Sequence, residues 1–150
     1  MREYIEFTLD PNPVEIDGWF DEDDGRIYIR AGLDRFVKLL IYAHENQHKK
    51  CFDSKCKCWK EKSDLLCEYH AFRAEFRFMC EGRFVCQVWK QYFANVQREL
   101  RKYRRLMKTT WKKGGREHFQ ALKRLCKTKK FQEYAKYAGW LQKISCLIKK

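Results

Sequence analysis

Phe36-Val37-Lys38-Leu39-Leu40-Ile41-Tyr42-Ala43-His44-Glu45-Asn46-Gln47-His48 is an apolar helical run that ends in the pattern H-E-x-x-H. A helix places residues four apart one above the other on one face. His44 and His48 therefore stand where two ligands of a single Zn²⁺ must stand. Glu45 points to the edge of that face, where it can take a proton from a metal-bound water. A helix with two incidental histidines gives the same five letters, so the flanking chain carries the decision.

Upstream, Gly25-Arg26-Ile27-Tyr28-Ile29-Arg30 alternates like a strand. Ala31-Gly32-Leu33 is a short link, and Asp34 is an N-cap for the motif helix. Downstream, a cysteine-rich connection leads into a second helical pattern from Asp64 to Met79, with Leu65, Phe72, Phe76 and Met79 on its apolar face. Glu68 and Glu75 are two turns apart and project to nearly the same side, within or beside that face. A carboxylate facing a core needs a partner. A metal on His44 and His48 would supply one.

Strand, short link, H-E-x-x-H helix and a helix bearing E-x-x-A (Glu68 to Ala71) resemble the compact gluzincin metallopeptidases, with the ImmA/IrrE-like peptidases nearest. The resemblance covers roughly residues 25–80. It implies that His44, His48 and Glu68 bind zinc and that Glu45 is the general base. It also implies that the strand at Ile27, Tyr28 and Ile29 is the edge that pairs with an extended substrate. Glu75 and His70 stay open as third ligands, although His70 points away from the Glu68 side of its helix.

The chain of 150 residues is long enough for a real core, and 45% hydrophobic with 16% aromatic content argues against disorder. Leu39 to Ala43, its longest apolar stretch, is too short for a membrane span. Met1-Arg2-Glu3-Tyr4-Ile5-Glu6 is acidic and lacks the apolar core of a signal peptide, so the expected location is intracellular. Charge divides the chain. Residues 1–82 carry 13 Lys and Arg against 17 Asp and Glu, a net of −4. Residues 83–150 carry 20 against 3, a net of +17. The expected organisation is a metallopeptidase core over 1–82 and a basic helical extension over 83–150 packed on it.

In the extension, Val85, Val88, Trp89, Tyr92, Val96, Leu100, Tyr103 and Met107 recur at helical spacing. Gly114-Gly115 then reads as a break. Phe119, Leu122 and Cys126 suggest a second helix, and Phe131, Tyr134, Ala135, Ala138, Leu141 and Ile148 a third. The aromatics fall on the apolar stripe and read as core. Opposite them lies a basic face of Arg98, Arg101, Lys102, Arg104, Arg105, Lys108, Lys112 and Lys113. A solvated surface, contact with the acidic stretch Asp21-Glu22-Asp23-Asp24, and a nucleic acid are its three readings. Seventeen net charges with three acids go beyond what solubility asks, which favours sequence-independent binding to DNA or RNA. Asp21 to Gly25 itself reads as a hairpin turn, since Asp-Gly favours one and EF-hand ligand spacing is absent.

Eight cysteines exceed ordinary cytosolic usage. Cys51, Cys56, Cys58 and Cys67 cluster between the two motif helices, Cys80 and Cys86 flank Gly82, and Cys126 and Cys146 lie near the end. Disulfides in the first cluster are the favoured reading, which in an intracellular protein suits a hyperthermophile or its virus. The other readings are a structural zinc on those four cysteines, spaced C-x4-C-x-C-x8-C, and free buried thiols.

The reading that follows is an α+β protein. A small antiparallel sheet carries an H-E-x-x-H helix and a Glu-bearing helix, followed by a basic all-helical extension. The expected activity is zinc-dependent hydrolysis of a peptide or protein substrate, with Tyr69, His70, His118 or Tyr134 as oxyanion donor. The other class is a nucleic-acid-binding accessory protein, of viral type, whose metal site is structural or vestigial.

Overall fold

The computed structural model describes residues 3–8 and 16–149; Pro11 and Pro13, which precede the motif region, lie outside them. The chain divides into two compact units, Met1–Glu75 and Phe76–Lys150. The two units divide inside a helix, between Glu75 and Phe76.

In the first unit three strands form one sheet: β1 (Ile5–Phe7), β2 (Gly18–Asp21) and β3 (Arg26–Arg30). β2 and β3 are an antiparallel hairpin. Its turn closes with Gly25 N–H donating to Asp21 O at 2.9 Å, and Gly25 takes the positive φ of 71° that a side chain resists. This is the Asp-Gly turn read from the sequence. Trp19 stacks on its cross-strand partner Tyr28 with ring centroids 4.9 Å apart. β1 pairs with the other side of β3 and runs parallel to it. The sheet is therefore mixed, not wholly antiparallel, and its order is β1-β3-β2. The alternation in β3 buries Ile27 and Ile29.

Helix α1 (Arg35–Ser54) packs against β2 and β3. Asp34 caps it, accepting from Phe36 N–H at 3.0 Å. Lys38 Nζ meets Glu6 Oε1 of β1 at 2.7 Å and ties the helix to the far side of the sheet. At Gly18 the strand comes so close that an added Cβ would lie 2.6 Å from Ile41 Cγ2. α1 ends at Lys55, which is left-handed at φ 53°. A short α2 (Lys57–Lys60) follows, and then α3 (Asp64–Gly82), within which the two units divide. Ser63 starts α3 by accepting from Leu66 N–H at 3.2 Å.

The second unit continues with α4 (Cys86–Leu106), α5 (Lys112–Cys126), α6 (Lys129–Tyr137) and α7 (Leu141–Ile148). The expected third helix is thus two, separated at Gly139, whose φ is 76°. Trp89, Tyr92, Phe93, Leu100, Leu122, Phe131 and Ile144 form a buried core, so the aromatics are interior as the spacing implied. Gly114-Gly115 does not break the chain, because α5 runs through both. A Cβ on Gly115 would meet Met107 N at 2.9 Å and Tyr103 O at 3.0 Å. The glycine is there so that α5 can approach the end of α4. The expected α+β fold with a helical C-terminal half is observed, and no helix among the described residues is long and apolar enough to cross a membrane.

Candidate metal centre

His44 and His48 lie one turn apart on α1, with ring centroids 5.0 Å apart. α3 brings Glu68 to both of them. Glu68 Oε1 is 2.9 Å from His44 Nε2, and Glu68 Oε2 is 3.0 Å from His48 Nε2. One atom from each residue falls within 4.8 Å of the other two, so the three could hold a metal ion. The spacing of the two histidines follows from helix geometry alone. The arrival of Glu68 does not, since it needs α3 to face α1.

Glu75 has a different place. Its Oε2 lies 2.7 Å from His44 Nδ1, on the ring atom that faces away from Glu68. There it accepts the Nδ1–H bond that fixes the ring and leaves Nε2 to the cluster, as the outer carboxylate of a metal-bound histidine does. The edge of Phe72 packs on the same ring at a centroid distance of 4.6 Å. Glu75 thus sits on the far nitrogen of His44, and the group of atoms that could hold a metal takes Glu68 rather than Glu75. His70 lies two residues beyond Glu68, about 200° around the helix. It turns instead toward the cysteines, with Nδ1 3.9 Å from Cys51 Sγ.

Glu45 is 6% exposed and stands beside the pair; a Cβ built on Gly18 of β2 would lie 3.7 Å from its Cγ. Among the described residues it has no hydrogen-bond or ion-pair partner, while its charge acts on both histidines. Three carboxylates, Glu45, Glu68 and Glu75, thus surround two imidazoles with little water. Burial pulls the His44 pKa down. The bonds to Glu68 and Glu75 and the Glu45 charge outweigh that and hold it well above the ordinary value. For His48 burial is likewise outweighed, mainly by the Glu68 charge, and its pKa is raised. Protonated imidazoles answer part of that negative charge, and a metal ion on the same nitrogens would take the place of the protons. Two imidazole nitrogens and a carboxylate are a donor set that suits Zn²⁺.

Three expectations need correction. β3, with Ile27, Tyr28 and Ile29, is the central strand rather than an edge, because β1 covers the side left open by the hairpin. Its backbone is already paired on both sides. The cysteines Cys51, Cys56, Cys58 and Cys67, like the other four, are free thiols and not disulfides. Cys56 Sγ and Cys58 Sγ are 2.7 Å apart, beyond the roughly 2.05 Å of a bond. In the basic face, Lys102 is buried and its head lies 3.2 Å from Glu99 Oε2. Arg104 is half-buried, donates to Leu147 O and covers the Phe119 ring. Both belong to the packed side of α4, which is wide because α5, α6 and α7 all lie on it. Arg98, Arg101, Arg105, Lys108, Lys112 and Lys113 are exposed.

Of the suggested oxyanion donors, His118 donates from Nδ1 to Gly114 O at 2.7 Å and Tyr134 stacks on Trp89 at 4.2 Å, both within the second unit. Tyr69 lies on α3 under the guanidinium of Arg73. The place of Glu75 has no signature in the sequence beyond its two-turn spacing from Glu68. Gly18 as a neighbour of Glu45 has none. No protein-family model, no curated protein and no solved structure matches this chain.

Proposed function

We propose that the first unit is a zinc-dependent peptidase. The observation that carries this reading is the convergence of His44 Nε2, His48 Nε2 and the Glu68 carboxylate beside a buried Glu45 that has no hydrogen-bond partner among the described residues. Zn²⁺ held by those three residues would supply a Lewis acid for a peptide carbonyl and an acidified water. Glu45 takes the proton of the attacking water and returns it to the departing amine. Glu75 holds the His44 ring in place through Nδ1, and Phe72 packs on the ring. β2 is an edge strand, and its Gly18 lies beside Glu45. A substrate extended along β2 would pair through its backbone and lie across the cluster.

Elemental analysis tests the metal. The His44→Ala,His48→Ala double variant is expected to carry one zinc per chain fewer than the parent protein. Equal zinc contents would remove this site from consideration. Glu75→Ala is expected to weaken zinc at the cluster by about 10- to 100-fold, as loss of an outer partner does. Competition with a chelator of known affinity measures it, and an unchanged affinity would return Glu75 to a purely structural part.

A second reading concerns the other half. Residues 83–150 hold 20 Lys and Arg against three acids. Arg98, Arg101 and Arg105 recur along one exposed side of α4, and Lys108 is exposed in the turn just beyond its end. Such a surface suits a nucleic-acid backbone.

A further inference from the structure

We infer that Cys51, Cys56, Cys58 and His70 form a second, structural zinc site, independent of the histidine–glutamate cluster. One ligand atom from each falls within 4.8 Å of the other three. Ligands of a tetrahedral zinc with Zn–S near 2.3 Å stand about 3.8 Å apart. Cys51 Sγ and His70 Nδ1 are already 3.9 Å apart. Cys56 and Cys58 are closer, at 2.7 Å, and small side-chain rotations open that pair.

The local chain explains how C-x-C can serve one ion. Lys55 turns left-handed and donates its N–H to Cys51 O and Phe52 O. That turn returns the chain, so that Cys56 N–H also reaches Cys51 O, at 3.1 Å. Cys56 is extended, at φ −62° and ψ 171°, and Cys58 is already helical in α2. The change of conformation between them brings both sulfurs to the same side. His70 arrives from α3, on the side of that helix away from Glu68.

The surroundings suit a closed site. Cys58 is fully buried and Cys51 nearly so. Gln47, inside the H-E-x-x-H motif, donates from Nε2 to Cys51 Sγ at 3.3 Å, the outer hydrogen bond a thiolate ligand takes. Cys67 also hydrogen-bonds Cys58, but it stands outside the group whose ligand atoms lie within 4.8 Å of one another, and one metal ion takes the three thiols of that group together with the imidazole. Four protein ligands leave no open position, so the site is structural. It joins the end of α1, the whole of α2 and the first turns of α3. His70 is two residues from Glu68, so the site also fixes Glu68 against His44 and His48.

The test is a Co²⁺ titration of the full chain, stripped of metal and fully reduced. The expected result is a thiolate-to-cobalt charge-transfer band, removed by Zn²⁺. It persists in His44→Ala,His48→Ala, which separates this site from the proposed peptidase centre, and in Cys67→Ser. It is lost or sharply reduced in Cys58→Ser and weakens at least tenfold in cobalt affinity in His70→Ala. Absence of the band in the parent chain overturns the site, and that measurement needs no variant to fold. So does a band that disappears with the two histidines. A band lost in Cys67→Ser and kept in His70→Ala overturns the assignment of His70. Fewer than eight thiols in fresh, denatured, metal-stripped and unreduced protein would put a disulfide there instead.

Discussion

Glu45→Gln is expected to lower peptide hydrolysis by about 100- to 10,000-fold, the usual contribution of a positioned general base. Its zinc content should stay that of the parent. The side chain is buried and has no hydrogen-bond partner among the described residues, so an amide of the same shape breaks no contact. What it removes is the ability to accept a proton beside His44 and His48. The ligand atoms of His44, His48 and Glu68 are untouched. Casein or a peptide library supplies a first substrate. Activity in Glu45→Gln equal to the parent would mean that the hydrolysis comes from another group or another protein. Zinc lost together with activity would instead show that Glu45 supports the metal rather than the proton transfer.

The second large effect concerns salt. If the six exposed cations Arg98, Arg101, Arg105, Lys108, Lys112 and Lys113 each meet a phosphate, affinity for DNA or RNA is expected to fall on the order of a thousandfold between about 50 and 200 mM salt. Each contact contributes roughly 0.9 to the slope of log affinity against log salt. Replacing Arg101, Arg105 and Lys108 with Gln should therefore reduce that slope by about 2.7. Lys102 and Arg104 provide the control. Their heads are engaged by Glu99 and Leu147 O, so replacing them should cost stability and leave the slope alone. Fluorescence anisotropy with a short duplex and a short single strand reads both quantities. Binding that ignores salt, or none at the lowest salt, would make this face a solvated surface.

Much of the first unit was legible because its signals are local. Asp34, the apolar run to Ala43 and the two histidines specify a capped helix with two imidazoles on one side, whatever packs against it. Asp24-Gly25 specifies the hairpin, since only a residue tolerant of positive φ closes that turn. The spacing of Trp89, Tyr92, Val96 and Leu100 specifies a core-facing helix. These features depend on the rotation per residue, and the chain carries that by itself.

What the tertiary structure alone decided depends on which elements meet. Glu68 and Glu75 share a side of α3, yet Glu68 reaches Nε2 of both His44 and His48 while Glu75 reaches Nδ1 of His44, a matter of how α3 lies along α1. His70 went to the cysteines because the opposite side of α3 faces the end of α1 and α2, and no spacing rule couples a histidine to sulfurs so far back in the chain. β3 became the central strand because residues near the chain start pair with it in parallel. α5 runs through Gly114 and Gly115, where a lone sequence would end a helix at two glycines, because Gly115 presses on the end of α4 and Gly114 lies under the Trp111 ring. Lys102 and Arg104 left the basic face because α5, α6 and α7 all pack on α4. A sequence states which side chains share a face; only the packing of one element on another states what that face meets.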